Sequence, residues 1–207
     1  MSPGDLRSQE DEELLRRFNE GDARTFEVIL ERYRRPVFNF VLRSVRDPSK
    51  AEDLLQEVFL RVVQRSEHFK GDSKFSTWLY TIARNLCIDT SRKMAFRRHR
   101  SLDAPARSAE ADGEGTPMVE RVEGREHGAD RRAIAERMRT QLAAAVEELP
   151  DDQKEVFLMR QVQNLPFKEI AEIVGVPQNT VKSRMRYALE RLREALAEYE
   201  DYIGELK

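Results

Sequence analysis

LPFKEIAEIVGVPQNTVKSRMRYALERLREAL, residues 165–196, decides how the C-terminal part of this chain folds. Ile170, Ala171 and Val174 recur at the spacing of one short helix face, and Val176, Val181 and Met185 carry the apolar set into a second helix. Gly175 permits the left-handed backbone angle of the tight turn between them, and a small residue at Ala171 lets the two helices cross closely. This is a helix-turn-helix pattern. Its second helix presents Gln178, Asn179, Thr180, Lys182, Ser183, Arg184, Arg186 and Tyr187, hydrogen-bonding and cationic groups suited to base edges and phosphates in a major groove. From Arg160 to Arg193 the bases Arg160, Lys168, Lys182, Arg184, Arg186, Arg191 and Arg193 face only Glu169, Glu172 and Glu190. Recognition of a polyanion needs such local charge, and the chain's net charge of −2 hides it.

Outward from that motif, helical periodicity runs from about Asp130 to Glu148 and stops at Leu149-Pro150. Asp152 and Glu155 have the spacing of a capping box at the start of the next helix. Between Phe96 and Ala129 the apolar rhythm ceases. From Ser101 to Asp130, Asp103, Glu110, Asp112, Glu114, Glu120, Glu123, Glu126 and Asp130 outnumber Arg107, Arg121 and Arg125, among scattered glycines and prolines. That composition reads as an acidic flexible linker. Ahead of it, Glu12–Phe18 form a first helix, and Phe26, Ile29, Leu30 and Tyr33 line a second capped by Gly21-Asp22. Pro36 falls where a new helix can begin, and Ser49 with Glu52 forms a second capping-box match. The periodicity is helical nearly throughout, which implies an all-α fold of two small helical domains: a tail at 1–10, a domain at 11–95, the linker at 96–130 and a domain at 131–207.

KFSTWLYTIARNLCIDTSRK, residues 74–93, closes the first domain. Phe75, Trp78, Leu79, Ile82 and Leu86 make its buried stripe. The opposite face carries Thr77, Tyr80, Thr81, Arg84 and Ile88 where a solvated helix would show Lys and Glu. A polar turn, HFKGDSKF at 68–75, precedes it, and Arg92, Lys93, Arg97, Arg98 and Arg100 extend a cationic track beyond it. Aromatics beside cations and short polar groups are what single-stranded bases require, since an unstacked base needs a new stacking surface and its phosphate needs a charge. Tyr80 lies away from the expected core, so its truncation is expected to leave folding intact.

Composition excludes several classes. One cysteine, Cys87, leaves neither a disulfide framework nor a thiolate zinc site, and fits a reducing compartment. No stretch approaches the roughly 18 apolar residues of a membrane span. His68, His99 and His127 are dispersed, with no metal-binding pair, phosphate loop or carboxylate cluster, so no enzyme, cofactor or metal is expected.

AEDLLQEVFLRVVQ (51–64), FKGDSKFSTWLYTIARNLCIDTSRK (69–93) and residues 149–196 resemble conserved regions 2.2, 2.3 to 2.4 and 4 of bacterial extracytoplasmic-function sigma factors, compact members of the sigma-70 family. The resemblance implies a cytoplasmic, dissociable subunit of RNA polymerase. Asp53, Gln56 and Glu57 would meet the clamp helices of the core enzyme, and the C-terminal domain its flap region. Phe69, Lys70, Asp72, Ser73, Lys74, Tyr80, Arg84 and Asn85 would hold the melted −10 element. Thr180, Lys182, Ser183, Arg184 and Arg186 would read −35 duplex. The resemblance also implies an anti-sigma protein as partner. The alternative is a stand-alone helix-turn-helix regulator, which leaves the first domain without a role.

Overall fold

The computed structural model describes residues 6–102 and 129–199, in which eight α-helices and no strand are found. Helix α1, Asp11–Asn19, carries Asp11, Glu12 and Glu13 in its first turn and Arg16 and Arg17 in its last, the distribution that suits the helix dipole. Its Leu14 and Leu15 are buried against α2, Ala23–Val45. Arg32 of α2 pairs with Asp11 and donates to the carbonyls of Arg7 and Gln9 at 2.8 and 2.9 Å, while Tyr33 donates to Asp11, tying the N-terminal segment down.

Pro36 does not start a helix. It lies inside α2, where the lost hydrogen bond costs about 3 kcal/mol. Buried Val28 and Ile29 before it and Val37, Phe40 and Val41 after it hold the two halves as one rod. The helix ends at Arg46, in the left-handed conformation (φ 57°), because Pro48 bars Asp47 from the helical region. Helix α3, Pro48–Arg65, then starts at once. Its cap is Asp47, which accepts from the Lys50 amide at 3.1 Å; the expected box of Ser49 and Glu52 is superseded because Pro48 occupies the first helical position. Lys50 also lies on the Asp47 carboxylate and holds it below its ordinary range.

Helix α4, Phe75–Leu102, runs past the point where the apolar rhythm stops, since no glycine or proline intervenes to end it. The greater part of the expected linker, 103–128, lies outside the described residues. The Phe75 amide, one of the first-turn donors without an acceptor in its own helix, donates to Glu12 Oε1 at 2.7 Å. Tyr33, Phe69 and Trp78 surround the Phe75 ring at 5.5, 6.3 and 6.1 Å in edge-on and tilted arrangements.

Helices α5 (Ala129–Glu148), α6 (Asp151–Gln161), α7 (Phe167–Val174) and α8 (Gln178–Ala195) follow. Pro150 is the N-cap residue of α6 and makes no side-chain cap, so Asp152 and Glu155 do not form the expected box. Between α7 and α8, Gly175 takes φ 75° and its amide closes on the Ala171 carbonyl at 2.9 Å. A Cβ there would meet nothing within 4 Å, so the backbone angle and not crowding demands glycine. Ile170, Ile173, Val174, Val181, Met185 and Ala188 are buried, while Ala171 and Val176 are only half-buried.

Packing groups the chain differently from its order in sequence. One compact unit joins Met1–Lys93 with Pro150–Ala188, and the other joins Met94–Leu149 with Leu189–Lys207. In the second, Gln141 donates to the Ala195 carbonyl at 2.7 Å and Ala145, Val146, Leu149 and Leu192 are buried. The first carries every candidate site residue. Replacing Glu12 by Ala is expected to lower stability by about 1 kcal/mol, roughly 2–4 °C in Tm for a chain of this size, because the Phe75 amide then loses its acceptor; thermal melts check this.

Candidate nucleic-acid interface

Three surfaces carry the residues singled out in the sequence. On α3, Asp53 and Gln56 are exposed and Glu57 is half-buried, its carboxylate 2.7 Å from Arg61. Leu54, Leu55, Val58 and Val62 turn inward. Helical spacing extends the stripe of Asp53 and Gln56 to Leu60 and Val63, which are 51% and 38% exposed. Beside it, an open groove of about 810 Å³ includes Leu30, Phe38, Leu55 and Phe59 together with Glu31, Arg34, Arg35, Glu52 and Gln56. Exposed apolar side chains among charges are the composition of a protein-binding surface.

The second surface is the turn before α4 and one face of that helix. The Ser66–His68 turn and Gly71, at φ 74°, bend the chain so that Lys70 and Asp72 are exposed and Ser73 is half-buried. Phe69 stays half-buried against Trp78, ring centres 5.2 Å apart. Lys74 is exposed, with its ammonium 3.2 Å from Glu169. Along α4, the Ser76 and Thr77 hydroxyls donate to the same Glu169 carboxylate at 3.4 and 3.3 Å. Tyr80 donates to Gln163, whose amide nitrogen donates in turn to the Pro36 carbonyl at 3.0 Å. Arg84 places Nε and Nη2 on the Glu155 carboxylate at 2.8 and 3.2 Å, the two-nitrogen fork that guanidinium geometry favours. Asn85 is exposed.

This overturns the expectation that Tyr80 stands clear of the core. It is 2% exposed, its ring edge-on to Phe40 at 5.6 Å, and burial raises its phenol pKa well above the ordinary value. Periodicity separates two faces of a helix but does not say that only one is covered. Here the first helices bury the Phe75, Leu79, Ile82 and Leu86 stripe, and α6 and α7 cover the other side. Cys87 is buried too, and loss of solvent pushes its thiol up to about 11 despite a hydrogen bond with Ser44.

The third surface is α8. Lys182, Ser183 and Arg186 are exposed, Thr180 is half-buried, and the Arg186 guanidinium lies 4.9 Å over the exposed Tyr187 ring. Arg184 is less free: its Nε is 3.1 Å from Asp152 and its Nη1 3.8 Å from Glu155, with 23% of the side chain exposed. Sequence reasoning missed Glu155, Gln163 and Glu169 as partners. Glu155 was given to a cap, and Glu169 counted only as a minority charge in a basic stretch; a carboxylate 9% exposed within a cationic segment is the signal, visible only once burial is known.

The chain has known relatives. Residues 29–100 match the family described as Sigma-70 region 2, and residues 139–192 match Sigma-70, region 4. It is 32% identical over 190 residues to the ECF RNA polymerase sigma-E factor of Escherichia coli, covering 90% of this chain and 92% of that protein. Identity is 30% over 182 residues to the ECF RNA polymerase sigma factor SigW of Bacillus subtilis, with 88% and 94% covered, and 28% over 193 residues to the RNA polymerase sigma-H factor of Pseudomonas aeruginosa, with 92% and 96% covered. The sigma factor RpoE of Bartonella quintana, solved with the anti-sigma factor NepR, shares the fold at a TM-score of 0.61 and 23% identity, covering 83% of this chain and 96% of that one.

Two outcomes follow from the burial of α4. Tyr80→Ala is expected to lose about 3–5 kcal/mol in denaturant titration, the cost of emptying a large buried aromatic site, whereas Tyr80→Phe loses only about 0.5–1.5 kcal/mol for the hydroxyl's bond. For Cys87 the folded pKa of about 11 lies above the ordinary thiol value near 9, so the unfolded chain ionises first as pH rises. The stability it contributes is intact below about pH 9 and lost toward pH 11. Urea melts of Cys87→Ala and the unaltered chain therefore converge across that window.

Proposed function

We propose a division of labour for this chain on the premise that it belongs to the extracytoplasmic-function class of RNA polymerase sigma factors, in the sigma-70 family. A sigma factor is not an enzyme; it joins the core polymerase, selects a promoter and leaves the chemistry to that enzyme. The α3 face of Asp53, Gln56 and Glu57 takes the clamp helices. Its support is an exposed stripe in which Leu60 and Val63 lie open to solvent next to charge. The turn residues Phe69, Lys70, Asp72, Ser73 and Lys74 and the α4 residues Tyr80, Arg84 and Asn85 receive unstacked bases of the −10 element. Extracting a base costs a few kcal/mol, which aromatic stacking at about 1–3 kcal/mol per base offsets.

Thr180, Lys182, Ser183, Arg184 and Arg186 read the −35 duplex from α8, and the polymerase flap region supports that domain. The single observation that carries this reading is the match to both sigma-70 regions, in family order, on the two segments that bear these residues. Among the described residues no helix is long and apolar enough to cross a membrane. We place the protein in the cytoplasm with the polymerase, under an anti-sigma partner of the kind captured with RpoE.

Run-off transcription tests this: the purified chain with bacterial core polymerase and a promoter-fragment library is expected to yield transcripts downstream of a shared two-part motif. Binding to duplex without any transcripts favours a stand-alone regulator. Arg184→Ala is expected to weaken −35 duplex binding by about 1–3 kcal/mol at particular base pairs if its contact is bidentate. Unchanged affinity across promoter variants, read by fluorescence anisotropy, removes Arg184 from the site.

A further inference from the structure

Charge is unevenly paired around one cavity of the unit that joins 1–93 with 150–188. The space, about 250 Å³, lies where the C-terminal end of α2, the middle of α4 and the start of α6 meet, and Phe40, Cys87 and Leu158 form its apolar part. Arg43 and Arg46 line it from the end of α2, Arg84 and Arg92 from α4, and Lys154 from α6. Asp151 and Glu155 are the carboxylates among its lining residues. Glu155 is committed to Arg84 through contacts of 2.8 and 3.2 Å, and Asp151 is exposed. Arg43 donates to the Asn39 carbonyl of its own helix at 3.4 Å, and neither Arg43 nor Arg92 pairs with a carboxylate among the described residues.

Five cations against two carboxylates leave the lining with an excess of three positive charges. Lys154 is 4% exposed, so its charge belongs to an interior wall and acts through a lower dielectric than a surface lysine does. A cleft with partly apolar walls and one dominant sign of charge focuses its field on a small counter-ion. Guanidinium groups present their donors as a planar fork that matches phosphate oxygens, and the exposed Ser91 hydroxyl lines the same space. The volume falls below the roughly 300–1,000 Å³ of sites for drug-sized ligands, so it admits a diphosphate group and not a whole nucleotide.

We propose that this cavity is a binding site for a diphosphate group, free or at the end of a nucleotide. Arg43 and Arg92 supply charge-assisted hydrogen bonds, and Arg46 and Lys154 supply the surrounding field. The residues that carry the site are not those assigned to promoter DNA or to the clamp helices, so it stands apart from those assignments.

Isothermal titration of the full chain with sodium pyrophosphate at fixed ionic strength, beside sodium sulfate as a control for charge alone, tests this without polymerase or DNA. Saturable binding of pyrophosphate is expected, at least about ten-fold tighter than that of sulfate, because the two phosphate groups engage more donors. Arg43→Ala/Arg92→Ala is expected to weaken it about ten-fold or more. Arg65→Ala/Lys168→Ala, which removes exposed cations that do not line the cavity, is expected to leave it unchanged. Circular dichroism establishes that both variants keep their helicity. Cys87 is 6% exposed and lines the cavity, so saturating pyrophosphate is expected to slow its alkylation by iodoacetamide about five-fold in the unaltered chain. ATP titrated in the same way separates the two sources: binding comparable to pyrophosphate assigns the site to a nucleotide's phosphate end, and exclusion of ATP assigns it to the free anion.

Absence of saturable pyrophosphate binding overturns the site, as does sulfate bound equally well. Binding that survives in Arg43→Ala/Arg92→Ala, or that leaves Cys87 labelling unchanged, places the anion on other cations and overturns it too. Failure of run-off transcription strikes the sigma-factor roles and leaves these titrations as they stand.

Discussion

Arg84 and Glu155 meet through two nitrogen-oxygen contacts of 2.8 and 3.2 Å, each side chain less than a fifth exposed, and the placement of α6 on α4 depends on that pair. A guanidinium and a carboxylate withdrawn this far from water are costly unless they find each other in good geometry. Once they do, neither can be released without a new partner. That constraint selects one docking of α6, and the bonds from Tyr80 to Gln163 and from Thr77 to Glu169 fall into line along the same face of α4.

Helix α4 is thereby buried from two sides by different chemistry. Its apolar stripe packs into the first helices, where the aromatic rings of Tyr33, Phe69, Phe75 and Trp78 interlock and Glu12 caps its first turn. Its polar face is satisfied group by group. The apolar side holds the helix against the first helices, and the polar side is held by ion pairs and hydrogen bonds from Glu155, Gln163 and Glu169. The same helix is therefore a core element on both faces and, in the proposed function, a binding surface as well.

Charge distribution explains how a chain of net charge −2 carries two surfaces proposed to meet DNA. Arg84 and Arg184 are each set against carboxylates of α6, while Lys182, Ser183 and Arg186 are exposed. The α3 face is separate from this economy, being an exposed stripe where charge and aliphatic groups alternate.

The helical class, the turn at Gly175, the inward stripe of α4 and the outward one of α3 were legible in the sequence, because 3.6-residue periodicity and a residue that must adopt positive φ are local properties. The caps were less so: proline at 48 and at 150 shifted both helix starts, and Pro36 was absorbed into α2 because burial on either side outweighs one lost hydrogen bond. The match of residues to sigma-70 motifs likewise belongs to the sequence alone. What only the tertiary structure decided is what lies over Tyr80 and Arg84. Glu155, Gln163 and Glu169 are 71 to 93 residues away from their partners on α4, and nothing in a linear pattern tells a carboxylate bound to solvent from one that will close on an arginine that far along the chain.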